Sequence, residues 1–223
     1  AIAAAYGSVS AVTFVTAISF LDFKGIEFSG HMIAVMALME APAIIVGMIL
    51  INRYASIKSN GSSMPKIIKH SLNNASVLLI LGSMLIGFLA SEEQAEGIRP
   101  FTTDIFKGFL AVFLLDMGIT AGAQLKSMLK NGVYLVLFSV IIPFINGTIS
   151  LFLASTFTQS TGNILLFALL GASASYIAVP AAMKNAVPEA NPGLYLPMAL
   201  GITFPVNVII GIPFYYTLIE LFS

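Results

Sequence analysis

Long apolar runs constrain this chain more than any motif does. Seven can be drawn, at roughly 1–21, 30–51, 74–91, 105–123, 132–155, 163–183 and 193–219. Such runs match the hydrocarbon layer of a bilayer, which a helix crosses in about 20 residues. Composition agrees, with 58% of the 223 residues hydrophobic and 9% charged, where soluble domains carry about a quarter charged. A transmembrane barrel needs strands of about ten residues with alternating polarity, and no such pattern occurs. The expected fold class is an all-α integral membrane protein, a polytopic helical bundle.

Several functions are excluded early. Net charge is zero, so nothing points to nucleic acid. There is no cysteine, which removes disulfides, zinc thiolates and thiol redox chemistry. His31 and His70 show no metal-ligand spacing. The chain has no Ser-His-Asp set, no HExxH and no phosphate-binding glycine loop. No His or Lys close in sequence to Ser10 or Ser175 offers a base, so no enzyme is expected. No cofactor is expected beyond a coupling ion.

Charge asymmetry orients the bundle. Arg53, Lys58, Lys66, Lys69, Lys126, Lys130 and Lys184 fall in alternate loops, opposite Lys24, Arg99 and Lys107. The positive-inside rule puts the first set in the cytoplasm. On that orientation the C-terminus is expected to be extracytoplasmic, and the expected location is the plasma (inner) membrane. The longest hydrophilic loop, 53–73, divides 1–52 from 74–223. Its centre, Ser56–Lys66, is rich in Ser, Gly and Lys. It reads as a flexible tether or as a docking loop for a soluble regulator.

Two stretches break the apolar pattern. GSVSAVT at 7–13 and GASASYIAVPAAM at 171–183 gather small hydroxyl residues inside spans. Segments 7–50 and 172–216 match further, with Pro42 and Pro205 at corresponding places. The two units start five spans apart, so they are expected to lie inverted in the membrane. Inverted repeats around broken helices recur in transporters. A broken helix exposes backbone N–H groups and the positive end of its dipole, which suits an anion. Two such N-termini are expected to face each other, while carbonyls and hydroxyls coordinate a cation such as Na⁺.

Individual residues divide between site and scaffold. Glu40 and Asp116 are intramembrane acids, a costly placement usually tied to function. Glu40 is read as a cation or proton-linked group. Asp116 is read equally as a capping residue. Thr13, Thr203 and Asn207 are candidate cation ligands. The serines also suit close helix packing. Asn146 reads as an interhelical hydrogen-bonding residue, Tyr176 as a packing or gating residue, and His31 as an interface residue without a special role. Three prolines, Pro197, Pro205 and Pro213, predict a kinked or irregular last span.

The stretches YGSVSAVT, LMEAPAI, LLDMGITAG, VPEANPGLYLPMALGITFP and IGIPF resemble the sodium-dependent bicarbonate symporter family of the cyanobacterial type, over most of the chain. The resemblance implies ten helices in two inverted five-helix repeats, with two crossing broken helices. The chain would then begin inside the first crossing helix, about 100 residues into the protein, counting spans of about 20 residues plus loops. It implies an anion site at Gly7, Ser8, Ser10, Ser173 and Ser175, and Na⁺ ligands among Ser10, Thr13, Glu40, Ser175, Thr203 and Asn207. It also implies a PII-like regulator at loop 53–73 and a homo-oligomer, a trimer. The chain departs from the family pattern at Tyr176, where an Asp is expected, and at Ala11 and Val12, where a Gly-Ser pair is expected. Related readings are a crossing-helix transporter for another substrate, bile-acid-symporter-like or a cation antiporter, and a non-transporting membrane sensor.

Overall fold

The computed structural model describes residues 2–39, 75–130, 132–177 and 192–222. All regular structure among them is helical. In chain order these are α1 (Ile2–Tyr6), α2 (Ala11–Lys24), α3 (31–39), α4 (Ala75–Leu89), α5 (Glu92–Arg99), α6 (Phe106–Lys130), α7 (Val133–Ser155), α8 (Thr161–Ala172) and α9 (Gly193–Phe222). Glu40, loop 53–73, and residues 178–191 with Pro180 lie outside the described residues.

Two of these helices, α7 and α9, are long and apolar enough on their own to cross a membrane. Along α7 the exposed side chains Val133, Leu137, Ile141, Ile145, Ile149 and Leu153 recur every fourth residue, a stripe along one face of the helix. Exposed apolar side chains also cover α4 and α6, including Leu85, Phe88, Phe109, Val112 and Ile119. A surface this apolar suits lipid rather than water.

The stretch 92–104, expected as a loop, is helical instead. Ser91 builds a capping box with Gln94, with Glu92 and Glu93 in the first turn. That cap satisfies orphan N–H groups and places acids at the positive helix end. A π-helical turn at Pro100–Ile105 then leads directly into α6. Local capping outweighs low hydropathy here.

The core surrounds α8, which is apolar on every side and buried almost throughout, as expected of a central helix. Leu165, Leu166 and Leu169 meet Phe14 and Leu21 of α2, Leu151 of α7, and Tyr215 and Ile219 of α9. Close approach of α7 to its neighbours depends on small residues. A Cβ on Gly147 would overlap the Tyr215 ring and hydroxyl, and one on Gly171 would overlap Ser150. The Tyr215 hydroxyl donates to the Pro143 carbonyl at 3.0 Å. Gly171, grouped in sequence with the serine cluster, therefore belongs to helix packing.

Helices α2 and α8 lie antiparallel and are joined at both ends. Beyond the C-terminus of α2, Gly25 adopts a left-handed φ of 68° and donates to Asp22 and Leu21 carbonyls. Ile26 N–H returns to the Leu21 carbonyl at 2.9 Å, a glycine-terminated helix end of the Schellman type. The chain then reaches the start of α8. There Asn163 Oδ1 accepts from Ser29 N–H at 2.8 Å, and its Nδ2 donates to Ser29 Oγ at 3.0 Å. At the other end the start of α2 meets the end of α8.

Helix α9 is irregular, as its prolines predict. It widens into π-helical turns at Pro197–Thr203 and Asn207–Gly211. Proline lacks an N–H and collides with the carbonyl four residues back. A wider turn accommodates both effects, and such turns often mark functional places.

Candidate functional site

The expected span 1–21 is divided. Helix α1 ends at Tyr6, Gly7–Ser10 is non-helical, and α2 starts at Ala11. The expected span 163–183 likewise ends its helix at Ala172, and residues 173–175 are non-helical. Serine explains both breaks, because its hydroxyl competes for backbone groups and favours helix ends. Ser10 is the N-cap of α2, with φ −107° and ψ 109°, and its Oγ accepts from Thr13 N–H at 3.2 Å. Ser173 ends α8 in extended conformation, and its Oγ donates to the Leu170 carbonyl at 3.1 Å.

The two interruptions touch. Ser10 N–H donates to Ser173 Oγ at 2.9 Å, and Ser175 N–H donates to the Ala5 carbonyl at 2.8 Å. Asn207 Nδ2 closes the join from α9 by donating to the Ala172 carbonyl at 2.8 Å. That carbonyl stands at the end of α8, where helices leave acceptors unpaired. The positive end of α2 and the negative end of α8 therefore meet at one buried point.

Ser8, Ser10, Thr13, Ser173, Ser175, Thr203 and Asn207 are all at most 5% exposed. Gly7 is exposed. Their bonding capacity is unevenly used. Ser10 Oγ accepts from both Thr13 N–H and Thr13 Oγ1, the latter at 3.1 Å. A hydroxyl has two acceptor sites and one proton, so the Ser10 proton stays available for donation. Ser8 Oγ and Asn207 Oδ1 are buried without any hydrogen-bond partner. With Nδ2 held by Ala172, the Asn207 amide has a fixed orientation and offers a bare acceptor.

Thr203 has a different setting. Its Oγ1 donates to the Ser139 carbonyl and is hydrogen-bonded to Tyr6 Oη, each at 2.7 Å. Since its own proton goes to Ser139, Tyr6 is the donor to Thr203. The Tyr6 ring also meets Phe138 edge-on at 5.1 Å. Tyr6 thus ties the short helix before the break to α7 and α9. Nothing in the sequence pattern marks this residue, except its place directly before Gly7.

Other expected residues fall elsewhere. Asp116 is exposed on α6 and His31 is exposed at the start of α3. One helix N-terminus, that of α2, is present at the join. The second N-terminus is expected after the break near Pro180, among residues outside the described ones. No group of three or more His, Cys, Asp or Glu among the described residues is placed to hold a metal ion. Among the described residues, the candidate cation ligands at the join are neutral oxygens.

Comparison with known proteins supplies the family. The family model for the Na⁺-dependent bicarbonate transporter superfamily matches residues 1–220. No curated individual protein matches the chain. A match across nearly all 223 residues, on described residues that are helical with a lipid-compatible surface and bring a helix break and a helix end together at buried hydroxyls, places this chain in the Na⁺-dependent bicarbonate transporter superfamily.

Proposed function

We propose that this chain carries the substrate crossing of a secondary transporter that moves bicarbonate or a similar small oxyanion together with Na⁺. The observation behind this reading is the meeting of the α2 N-terminus and the α8 C-terminus at Ser10 and Ser173. Opposite helix ends favour opposite charges, so one point suits an anion and a cation side by side. Transporters with broken helices use half-helix N-termini for anions and helix C-termini or bare carbonyls for Na⁺.

The anion would rest on the α2 N-terminus with the Ser8 and Ser10 hydroxyls, beside Gly7, Ser173 and Ser175. No lysine or arginine lies in these two segments, so binding would depend on neutral donors and would be weak enough for release. Na⁺ would take Asn207 Oδ1 as a ligand, with Ser10, Thr13, Ser175, Thr203 and Glu40 as further candidates. Helix α8 has 12 residues, a rise of about 18 Å. Starting at one interface, it would reach the middle of a hydrocarbon layer of about 30 Å. Inverted repeats rocking around this join would give alternating access. A PII-like regulator at loop 53–73 and a trimeric assembly complete the expected arrangement.

Uptake of labelled bicarbonate into liposomes holding the full-length protein, with an inward Na⁺ gradient and with none, tests the reading. Gradient-dependent uptake is expected. Equal uptake in both conditions removes Na⁺ coupling, and no uptake of any small oxyanion removes the transport reading.

A further inference from the structure

We propose that Tyr176 is a specificity-determining residue whose hydroxyl donates a hydrogen bond to a small oxyanion held at the join of the two interrupted helices. The inference rests on the transport reading above and adds a group to its anion site.

Tyr176 directly follows the serine cluster, in the non-helical segment after α8, and is 7% exposed. Its ring packs on Phe204 with centroids 5.5 Å apart, in a cluster with Ala174, Ala199 and Leu200. These contacts fix where the hydroxyl sits. It lies beside Ser10 yet makes no hydrogen bond of good geometry. Ring packing alone would be met equally by Phe. With Ser10 Oγ already accepting twice from Thr13, the buried phenol proton has no acceptor, which is destabilising, so its presence points to an acceptor that comes and goes.

The chemistry narrows that partner. A phenol hydroxyl is neutral at physiological pH, with an ordinary pKa of about 10, and offers one proton. The neighbouring group with an available proton is Ser10, also a hydroxyl. Two hydroxyl donors beside the positive end of α2 select a small anion with acceptor oxygens. A carboxylate at position 176 would instead repel the anion and draw a cation. Tyr176 therefore assigns this part of the join to the anion rather than to Na⁺.

Tyr176→Phe in the full-length protein tests the assignment, because it keeps the ring and removes one oxygen. Wild type and variant are compared in liposomes for bicarbonate KM at saturating Na⁺, for Na⁺ KM at saturating bicarbonate, and for melting temperature. A hydrogen bond to a charged group implies a rise in bicarbonate KM of about tenfold or more. The Na⁺ KM and melting temperature are expected to hold. An unchanged bicarbonate KM in a folded variant overturns the proposal and leaves the transport reading intact. A wild type without oxyanion uptake ends both. If Tyr176→Phe does not fold, 3-fluorotyrosine at this position keeps the shape and makes a stronger donor. A lowered bicarbonate KM then supports the proposal, and an unchanged one overturns it.

Discussion

Ser10 and Ser173, 163 residues apart in the chain, share a 2.9 Å hydrogen bond from the backbone of one to the hydroxyl of the other. Each also ends a helix, Ser10 opening α2 and Ser173 closing α8. One contact therefore joins the two helix breaks through the residues that create them. Ser173→Ala would strand the Ser10 N–H in a buried setting, at a cost of about 1–3 kcal/mol. A lowered melting temperature in detergent and a weakened affinity for bicarbonate are expected together. Ser173→Ala with both unchanged would show that the contact is incidental.

Asn207 separates two roles in one side chain. Its Nδ2 holds the Ala172 carbonyl, and its Oδ1 is buried without a partner. Asn207→Leu keeps most of the volume and removes both groups. The half-saturating Na⁺ concentration is expected to rise about tenfold, the effect of losing about 1.4 kcal/mol of binding. Uptake measured against Na⁺ at saturating bicarbonate reads this, and an unchanged curve counts against a cation-ligand role.

Gly171 and Ser150 set the distance between α8 and α7. A Cβ at position 171 would overlap Ser150 Oγ and come within 2.8 Å of its Cβ. Gly171→Ala is expected to destabilise by about 1–3 kcal/mol through overpacking. The double variant Gly171→Ala with Ser150→Gly removes the obstructing side chain and is expected to recover part of that loss. Melting temperatures of the single and double variants check the coupling.

Tyr6 donates to Thr203 across the join while its ring rests on Phe138. Tyr6→Phe keeps the ring contact and removes the hydrogen bond. A loss of about 0.5–1.5 kcal/mol is expected for one intramolecular hydrogen bond, seen as a lower melting temperature. A variant as stable as wild type would mean the tie contributes nothing.

Much of the architecture is legible in the amino-acid order alone. Hydrophobic runs of about 20 residues force helices in a bilayer, because every backbone polar group must be satisfied within its own segment. Serine clusters inside two such runs mark the places where the helices stop, since serine competes for local backbone groups. Three prolines account for the irregular α9. Local capping at Ser91 is equally written in the chain, but low hydropathy gives 92–104 the look of a loop.

Partnership is not legible in the same way. Periodicity says which face of a helix is apolar, but not which distant segment that face will meet. Gly171 and Ser173 are two residues apart in sequence. Only packing against Ser150 and bonding to Ser10 separate a helix spacer from a residue of the join. The Tyr6–Thr203 bond and the fixed Asn207 amide likewise depend on side chains brought together from far along the chain. Helices across the described residues, stopping at both serine clusters, follow from residue order, because solvation of the backbone is a local requirement. That those two helix ends touch, and which hydroxyls there keep a proton to offer, follows only from the folded arrangement, because hydrogen-bond partners are settled by geometry between distant residues.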